Sequence, residues 1–479
     1  MNPEKEKLAK QKPNTNAFIF QLFVGFSVSM SAMAAGAWLA GPSAQIKSLL
    51  KGTHCCTASR SEISWLVALM DLGNILTPIP ASFLMNIFGR KIVLYIAAAT
   101  FFGASAFAFS ANAVWFLYVA RLLAGMGKGM AFAVVPIYIA EVANVQIRGA
   151  LSTIFIGSLN TGVIFIYIIA ALIEDDYVPV NIGTLVLPII FIITFIFVPE
   201  SFYYLTLKEK KEKSINSLRI YRKRAKDDPS IQAEQELVEN TVKKDMENRA
   251  RFFDIFTTKA MRRATMIISV LALFQRSSGI SPTLAFSTIT LPETGGGLSR
   301  ETYMVIFAIL LVIANYLVSP LVDTWGRRNL LLVSTASTSL VQLIAGIFYF
   351  LQHDEYDVSS WNWLPYCCML IFACTYSFGI GFIPSTLVGE LFPTNVKCYA
   401  SSVSAIILAA TSFVMNRVFR EVADNWGVGY MYMFFSATSA GCTFFVFWYV
   451  FETMGKTFGE IQHTLRQSLT TRPSLLGTI

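Results

Sequence analysis

Arg90 and Arg327 each follow a glycine, in Phe88-Gly89-Arg90-Lys91 and in Trp325-Gly326-Arg327-Arg328. Farther along from each stands a glutamate with a base seven residues later: Glu141 with Arg148, and Glu390 with Lys397. Glycine permits a tight reversal of the chain. An arginine at such a turn can pair with a glutamate or with a helix C-terminus. Pairs of this kind hold one arrangement of helices and break in another. A plainer reading makes these cations anchors at a membrane surface, their stems lying along apolar side chains. Their recurrence as a matched set favours the switching role.

Three more cations, Arg121, Lys128 and Arg276, stand inside apolar stretches. A charge at the centre of a bilayer costs about 2.5–3.5 kcal/mol on insertion scales and persists only with a partner or water. Counted from the outer ends of their stretches, Asp71 and Lys128 differ in depth by about 6 Å at 1.5 Å per residue. A lysine side chain covers that distance, so the two are expected to pair, unless each faces a different way and finds water. Arg276 has two readings. Facing a cavity, its guanidinium would bind a carboxylate or phosphate. Otherwise it pairs with a peptide carbonyl or an acidic side chain.

The elements that position these residues follow from composition and hydropathy. The 479 residues are 54% hydrophobic and only 14% charged, with a mean hydropathy of +0.54. Soluble domains carry roughly 25% charged residues. So large an apolar share excludes a disordered chain, and 7 Cys over this length exclude a disulfide scaffold. A span needs ~20 mostly apolar residues. Twelve stretches meet that need: 18–41, 62–85, 92–111, 115–139, 150–173, 180–199, 263–289, 302–322, 329–351, 364–389, 399–420 and 429–451. The first is too long for a signal peptide. With the N terminus in the cytoplasm, 29 of the 38 Lys and Arg fall on the inner side and 6 on the outer. That bias predicts both termini inside. The net charge of +8 then belongs to a basic cytoplasmic face and not to nucleic-acid binding.

The expected domains are a cytoplasmic segment 1–17, a six-helix bundle 18–199, linker helices 200–262, a second six-helix bundle 263–451 and a cytoplasmic tail 452–479. The linker carries Glu, Lys and Arg throughout and reads as two or three short amphipathic helices. The matching Gly-Arg turns and Glu segments, six spans apart, imply two parallel repeats around a central cavity.

In this order and spacing the motifs resemble the sugar porter family of the major facilitator superfamily, and within it the insect facilitated trehalose transporter-like group. They are Gly89-Arg90-Lys91, Arg121-x3-Gly125-x-Gly127-x-Gly129, Pro136-Ile-Tyr138-Ile-Ala-Glu141-Val and Arg148-Gly149-Ala150-Leu151. Pro199-Glu200-Ser201, Phe274-Gln275-x2-Ser278-Gly279-Ile280 and Asp323-x2-Gly326-Arg327-Arg328 follow. Glu390-Leu391-Phe392-Pro393 and Glu452-Thr453-x-Gly455-Lys456-Thr457 complete the set. The resemblance covers nearly the whole chain. It implies an all-α membrane protein of the major facilitator fold, with twelve transmembrane helices in two six-helix halves and short cytoplasmic helices between them. It implies a carrier and not an enzyme, one that passes a sugar such as trehalose or a hexose by alternating access. It places substrate near Gln275, Arg276, Ser278, Ser281, Ser385, Phe413 and Asn416. It places gating at Arg90, Glu141, Arg148, Asp323, Arg327, Glu390 and Lys397.

The departures bear on specificity. Where the family presents a Gln in span 5, this chain has Ile156. In span 7 the second Gln is Arg276 and the Asn is Ser281. In span 10 the Trp after Pro384 is Ser385, and in span 11 the Asn-Trp pair aligns with Ser412-Phe413. The acidic-basic pair before Gly89 is Asn86-Ile87, and Asp323 is followed by Thr324. Asn144 stands for a Pro, Phe202-Tyr203-Tyr204 for Pro-Arg-Trp, and Lys397 for an Arg. Two alternatives to sugar transport therefore stay open: a carrier for an anionic or unusual solute using Arg276, and a non-transporting sensor on a porter fold.

No acidic residue lies between Ala17 and Leu50. Proton-coupled sugar porters resemble one another in having one there, so uniport is expected. His54, His353 and His463 lie in loops or the tail, poor places for an intramembrane proton relay. No cofactor or metal is implied: His54 beside Cys55-Cys56 comes from one loop alone. Partners are a small solute and the lipid bilayer, the chain is expected to be monomeric, and the plasma membrane is the expected location.

One experiment tests the intramembrane pair. Asp71→Asn alone should impair folding or transport, and Asp71→Asn/Lys128→Met should restore it. Equal behaviour of the single and double variants in a transport assay would show that the two residues act apart.

Overall fold

The computed structural model describes residues 15–52, 56–144, 147–173, 178–225, 228–247, 252–293, 297–318, 321–456 and 458–466. It is helical from end to end of the described residues. In the first part of the chain run α1 (Thr15–Lys51), α2 (Arg60–Leu76), α3 (Pro78–Ile87), α4 (Arg90–Phe109), α5 (Val114–Val142), α6 (Arg148–Leu172) and α7 (Val178–Ile196). Three short helices follow: α8 (Phe202–Leu207), α9 (Lys211–Arg222) and α10 (Pro229–Glu247). The later part holds α11 (Lys259–Ser277), α12 (Ile280–Thr290), α13 (Arg300–Val318), α14 (Val322–Trp325) and α15 (Arg327–His353). After these come α16 (Leu364–Ser377), α17 (Ile383–Leu391), α18 (Thr394–Asn425), α19 (Val428–Tyr449) and α20 (Phe458–Arg466).

Among the described residues eight helices are long and apolar enough to cross a membrane singly, and α2 with α3 forms a ninth crossing bent by 41°. The bend has a local cause. Pro78 and Pro80 deprive the next turn of N–H donors, and the Thr77 hydroxyl donates to the Gly73 carbonyl just before the break (3.2 Å). Two of the expected spans are likewise interrupted. The stretch 263–289 breaks between α11 and α12, where Gly279 takes φ 86°. The stretch 364–389 breaks between α16 and α17, after Gly379 and Gly381 and just before Pro384.

The chain divides into two compact units. The first comprises Met1–Arg249 with Leu284–Ile289 and Ser299–Val305, the second Ala250–Thr283, Thr290–Leu298 and Ile306–Ile479. The linker helices α8 to α10 thus belong with the first unit.

Within the first unit α1 packs on α6, and α2 and α4 both pack on α5. Small residues set these approaches. A Cβ on Gly36 would stand 1.9 Å from the Leu159 carbonyl oxygen, and one on Gly162 would stand 2.0 Å from that of Met33. The α2–α5 seam is built alike: a Cβ on Gly73 would meet the Leu122 oxygen at 2.2 Å, and one on Gly125 the Met70 oxygen at 2.0 Å. Asp71 and Lys128 are both buried on these two helices. Glycine seams of this kind let backbones touch in lipid, where packing, not water exclusion, drives helix association. In the second unit α15 packs on α19 and α16, and α11 on α18.

Since the atoms facing Gly36 and Gly162 are backbone, they cannot swing aside. Gly162→Leu should cost upwards of the roughly 1–3 kcal/mol typical of overpacking. Purified in detergent, the variant should melt lower than the parent or lose its monodisperse peak. Unchanged melting would mean the α1–α6 seam is looser than this.

Candidate functional site

Two clusters, one in each unit, carry most of the charge chemistry. In the first, Arg90 is buried at the start of α4. Its Nη2 and Nε donate to Glu141 Oε1 at 2.6 and 3.1 Å, and Nη1 donates to the Met85 carbonyl at 3.2 Å. Glu141 Oε2 accepts from the Ser201 hydroxyl at 2.5 Å. Glu200, just past α7, accepts from the backbone N–H of Arg90 (3.2 Å) and of Lys91 (3.1 Å). The Lys91 ammonium donates to the Val198 carbonyl at 2.5 Å. Burial pushes the Glu200 carboxyl above the usual carboxylate range, opposed by the N–H donors of Ser201, Lys91 and Arg90 and by the Arg90 charge.

The second unit repeats the pattern. Arg327 Nε donates to Glu390 Oε1 at 3.1 Å, and Nη1 to the Val322 carbonyl at 2.9 Å. Glu390 Oε2 accepts from the Thr453 hydroxyl at 2.6 Å. Glu452 accepts from the backbone N–H of Arg327 (2.9 Å) and Arg328 (3.0 Å), and Arg328 Nη2 donates to the Phe447 carbonyl at 2.9 Å. Gly89 and Gly326 take φ 101° and 83°. A Cβ there would stand 2.3 Å from Glu200 Oε2 and 2.4 Å from Glu452 Oε2. Glycine is therefore required twice over, for the backbone angle and for the room the carboxylate occupies.

Glu200 and Glu452 are the residues that reading the sequence as a Gly-Arg and Glu-base repeat leaves out. A usable signal existed: each is a Glu followed by Ser or Thr, directly after the last apolar stretch of its half. Of the expected gate, the side chains of Arg148 and Asp323 lie outside the described residues. Lys397 is exposed near the Gly389 turn, where a Cβ would stand 3.2 Å from its Nζ.

The first cluster also ties in the linker. Tyr204, where the family has another residue, donates its hydroxyl to the Ile87 carbonyl (2.7 Å), and the Arg90 guanidinium lies 5.1 Å from its ring centroid. The Tyr138 and Tyr221 hydroxyls each reach the Pro199 carbonyl at 2.6 Å. Ser217 donates to the Glu200 carbonyl at 2.6 Å. Arg222 pairs with Glu234 at 2.5 Å and caps the Val142 carbonyl at the end of α5 (3.1 Å).

The expected substrate contacts gather around the α11–α12 break in the second unit. Gln275 is buried and donates to the Gly381 carbonyl (2.7 Å) at the facing break. Arg276 Nη1 donates to the Ser281 hydroxyl (3.2 Å), which also accepts from Ser412 (2.8 Å). Ser278 donates back to the Gln275 carbonyl (2.9 Å), and Gln342 donates to the Ser278 carbonyl. Phe413 is half-buried beside Ser412 on α18, and Asn416 is buried one turn on. Ser385 stands somewhat apart in role: it is exposed, and its hydroxyl is spent on the Phe382 carbonyl (2.6 Å). Ile156 lies on α6 with its side chain outside the described residues. In the first unit Arg121 is buried, donates to the Trp38 carbonyl and lies 5.4 Å from that indole ring.

A helical pair of units, two matched charge clusters and a polar break among apolar helices define a multi-pass membrane carrier. The family described as sugar (and other) transporter matches residues 16–465, and the chain belongs to that family. It is 25% identical over 448 residues to the facilitated trehalose transporter Tret1 of Bombyx mori, covering 93% of this chain and 86% of that one. To the Tret1 of Polypedilum vanderplanki it is 24% identical over 473 residues, covering 96% and 91%. In fold it matches the inward open conformation of the xylose transporter XylE from E. coli, with a TM-score of 0.75 and 20% identity over 93% of this chain and 99% of that one.

Removing the Glu200 carboxylate strands the N–H donors of Arg90, Lys91 and Ser201, and removing that of Glu452 strands those of Arg327, Arg328, Thr453 and Met454. Glu200→Ala and Glu452→Ala should each cost about 1–3 kcal/mol, visible as earlier melting in detergent. Glu200→Gln, which keeps an acceptor oxygen, should recover part of the loss. Melting that ignores all three substitutions would show that neither carboxylate holds its turn in place.

Proposed function

We propose that this chain is a uniporter that lets a sugar such as trehalose or a hexose cross a membrane down its gradient by alternating access. The observation that carries the reading is the same Arg–Glu–Glu latch built once in each half, within a chain of the sugar transporter family. Two equivalent latches suit a carrier whose halves rock about a central site. Each would close with its salt bridge made and open with it broken. Arg90, Glu141 and Arg148 would form the first gate set, and Asp323, Arg327, Glu390 and Lys397 the second. Counting each broken helix pair as one crossing, and Arg148–Leu172 as another, gives twelve spans in two halves of six.

The excess of Lys and Arg on one side supports cytoplasmic termini and a cytoplasmic linker, with the plasma membrane as the location and a monomer as the working unit. A sugar is neutral and dense in hydroxyls, so it asks for hydroxyl and amide partners such as Gln275, Ser278, Ser281 and Asn416, and for an aromatic face such as Phe413. The lack of an acid between Ala17 and Leu50 supports uniport over proton coupling.

Counterflow into proteoliposomes loaded with unlabelled sugar tests the reading. Labelled glucose or trehalose should enter saturably, at a rate a proton gradient leaves unchanged. Arg90→Ala and Arg327→Ala should slow exchange about tenfold or more, as breaking a largely buried charge pair implies. Folded protein that moves no solute of any kind would replace the carrier with a sensor built on the same fold.

A further inference from the structure

Arg276 is a cation held at the α11–α12 break with very little to neutralise it. Among the described residues its side chain makes one hydrogen bond, to the neutral Ser281 hydroxyl (3.2 Å), and no ion pair. Its Nε is buried with no hydrogen-bond partner. A guanidinium offers five N–H donors, so most of its capacity is unspent.

The long helices of the later part of the chain offer it almost no acid. No Asp or Glu occurs in α11, α12, α15, α16, α18 up to Arg420, or α19. In α13 the one acid is Glu301, at its first turn, which pairs with Lys47. In α17 it is Glu390, at the last turn, which pairs with Arg327. Arg121, the other arginine set within apolar helices, is treated differently: it donates to the Trp38 carbonyl and lies against that indole. A membrane-embedded arginine without an acid is met by carbonyls, by water or by a ligand, and among the described residues Arg276 has no carbonyl partner of the kind that serves Arg121.

The surroundings of Arg276 are hydroxyl-rich. Ser281 and Ser412 lie against one another at 2.8 Å beside the guanidinium. Gln275 and Tyr376 stand beside it. The guanidinium fork fits a carboxylate with two parallel bonds, while the hydroxyls suit a polyol.

We propose that the solute itself brings the missing charge: the site takes a sugar acid, its carboxylate on Arg276 and its hydroxyls on Ser281 and Ser412, in preference to the uncharged sugar. The proposal rests on the carrier reading above and names the substrate class within it.

The test compares glucuronate with glucose in proteoliposome counterflow at neutral pH, with a potassium diffusion potential imposed. Glucuronate should exchange at least tenfold faster than glucose. As a net negative charge crosses in each cycle, an inside-positive potential should raise its accumulation about tenfold per 60 mV. Arg276→Gln should reverse the preference, cutting glucuronate exchange tenfold or more relative to glucose. Arg276→Lys keeps the charge without the fork and should fall between. Purified protein should also gain more thermal stability from glucuronate than from glucose, a readout independent of reconstitution, and Arg276→Gln should abolish that difference. Saturable glucose exchange with no glucuronate exchange would overturn the proposal and leave the carrier standing. Absence of flux for both, from monodisperse protein that neither compound stabilises, would overturn carrier and proposal together. Glucuronate exchange unaltered in Arg276→Gln would overturn the role of Arg276.

Discussion

A helix that begins with two cations works against its own dipole, whose positive end lies at the first turn. Both α4 and α15 begin so, with Arg90-Lys91 and Arg327-Arg328. Glu200 and Glu452 resolve the conflict. Each places a carboxylate on the exposed N–H groups of that first turn, and a glycine without a Cβ leaves the room for it. Once the turn is neutralised, the arginine side chain is free to reach the glutamate of α5 or α17. The latch therefore depends on a carboxylate that belongs to the chain segment following the last helix of each half.

That dependence joins distant parts of the sequence at one end of each unit. In the first, the Pro199-Glu200-Ser201 segment is held from the linker by Tyr221 and Ser217. In the second, α20 is tied to the helix that carries Glu390: Gln462 donates to the Leu391 carbonyl at the end of α17 (2.9 Å). The first grip fixes the segment that supplies the capping carboxylate, the second the helix that supplies the paired glutamate. Substitutions in the linker that loosen Tyr221 would thus reach Arg90 through Pro199 and Glu200.

Much of this was legible in the sequence, because lipid imposes simple demands. Long apolar runs mark helices, and cations gather where the helices end. The arginine–glutamate pairs were legible because they recur. The helix breaks carry local signals in Pro78, Gly279 and Gly381, yet a hydropathy reading runs through them, since apolar content does not fall at a break. The Tyr138–Tyr221–Pro199 contact was not legible: it joins residues 83 positions apart, and nothing in tyrosine spacing predicts it. At Ser385 the family pattern gives the position, and the structure adds a local bond the pattern does not announce: a serine at the start of a helix donates its hydroxyl to its own backbone, here the Phe382 carbonyl.

The substituted positions around the α11–α12 break change in a consistent physical direction. An amide that could both give and accept a hydrogen bond has become Arg276, which only gives. Another has become Ser281, whose oxygen accepts from Arg276 and from Ser412 at once. The neighbourhood now holds more donors than acceptors, together with a permanent charge. A polyol hydroxyl gives one hydrogen bond and can accept two, so it eases the excess of donors and leaves the charge unmet. A carboxylate, which only accepts, corrects the hydrogen-bond imbalance and the charge together. Gln275 keeps the family's amide and spends its NH₂ group on the Gly381 carbonyl. That bond ties the two helix breaks to each other.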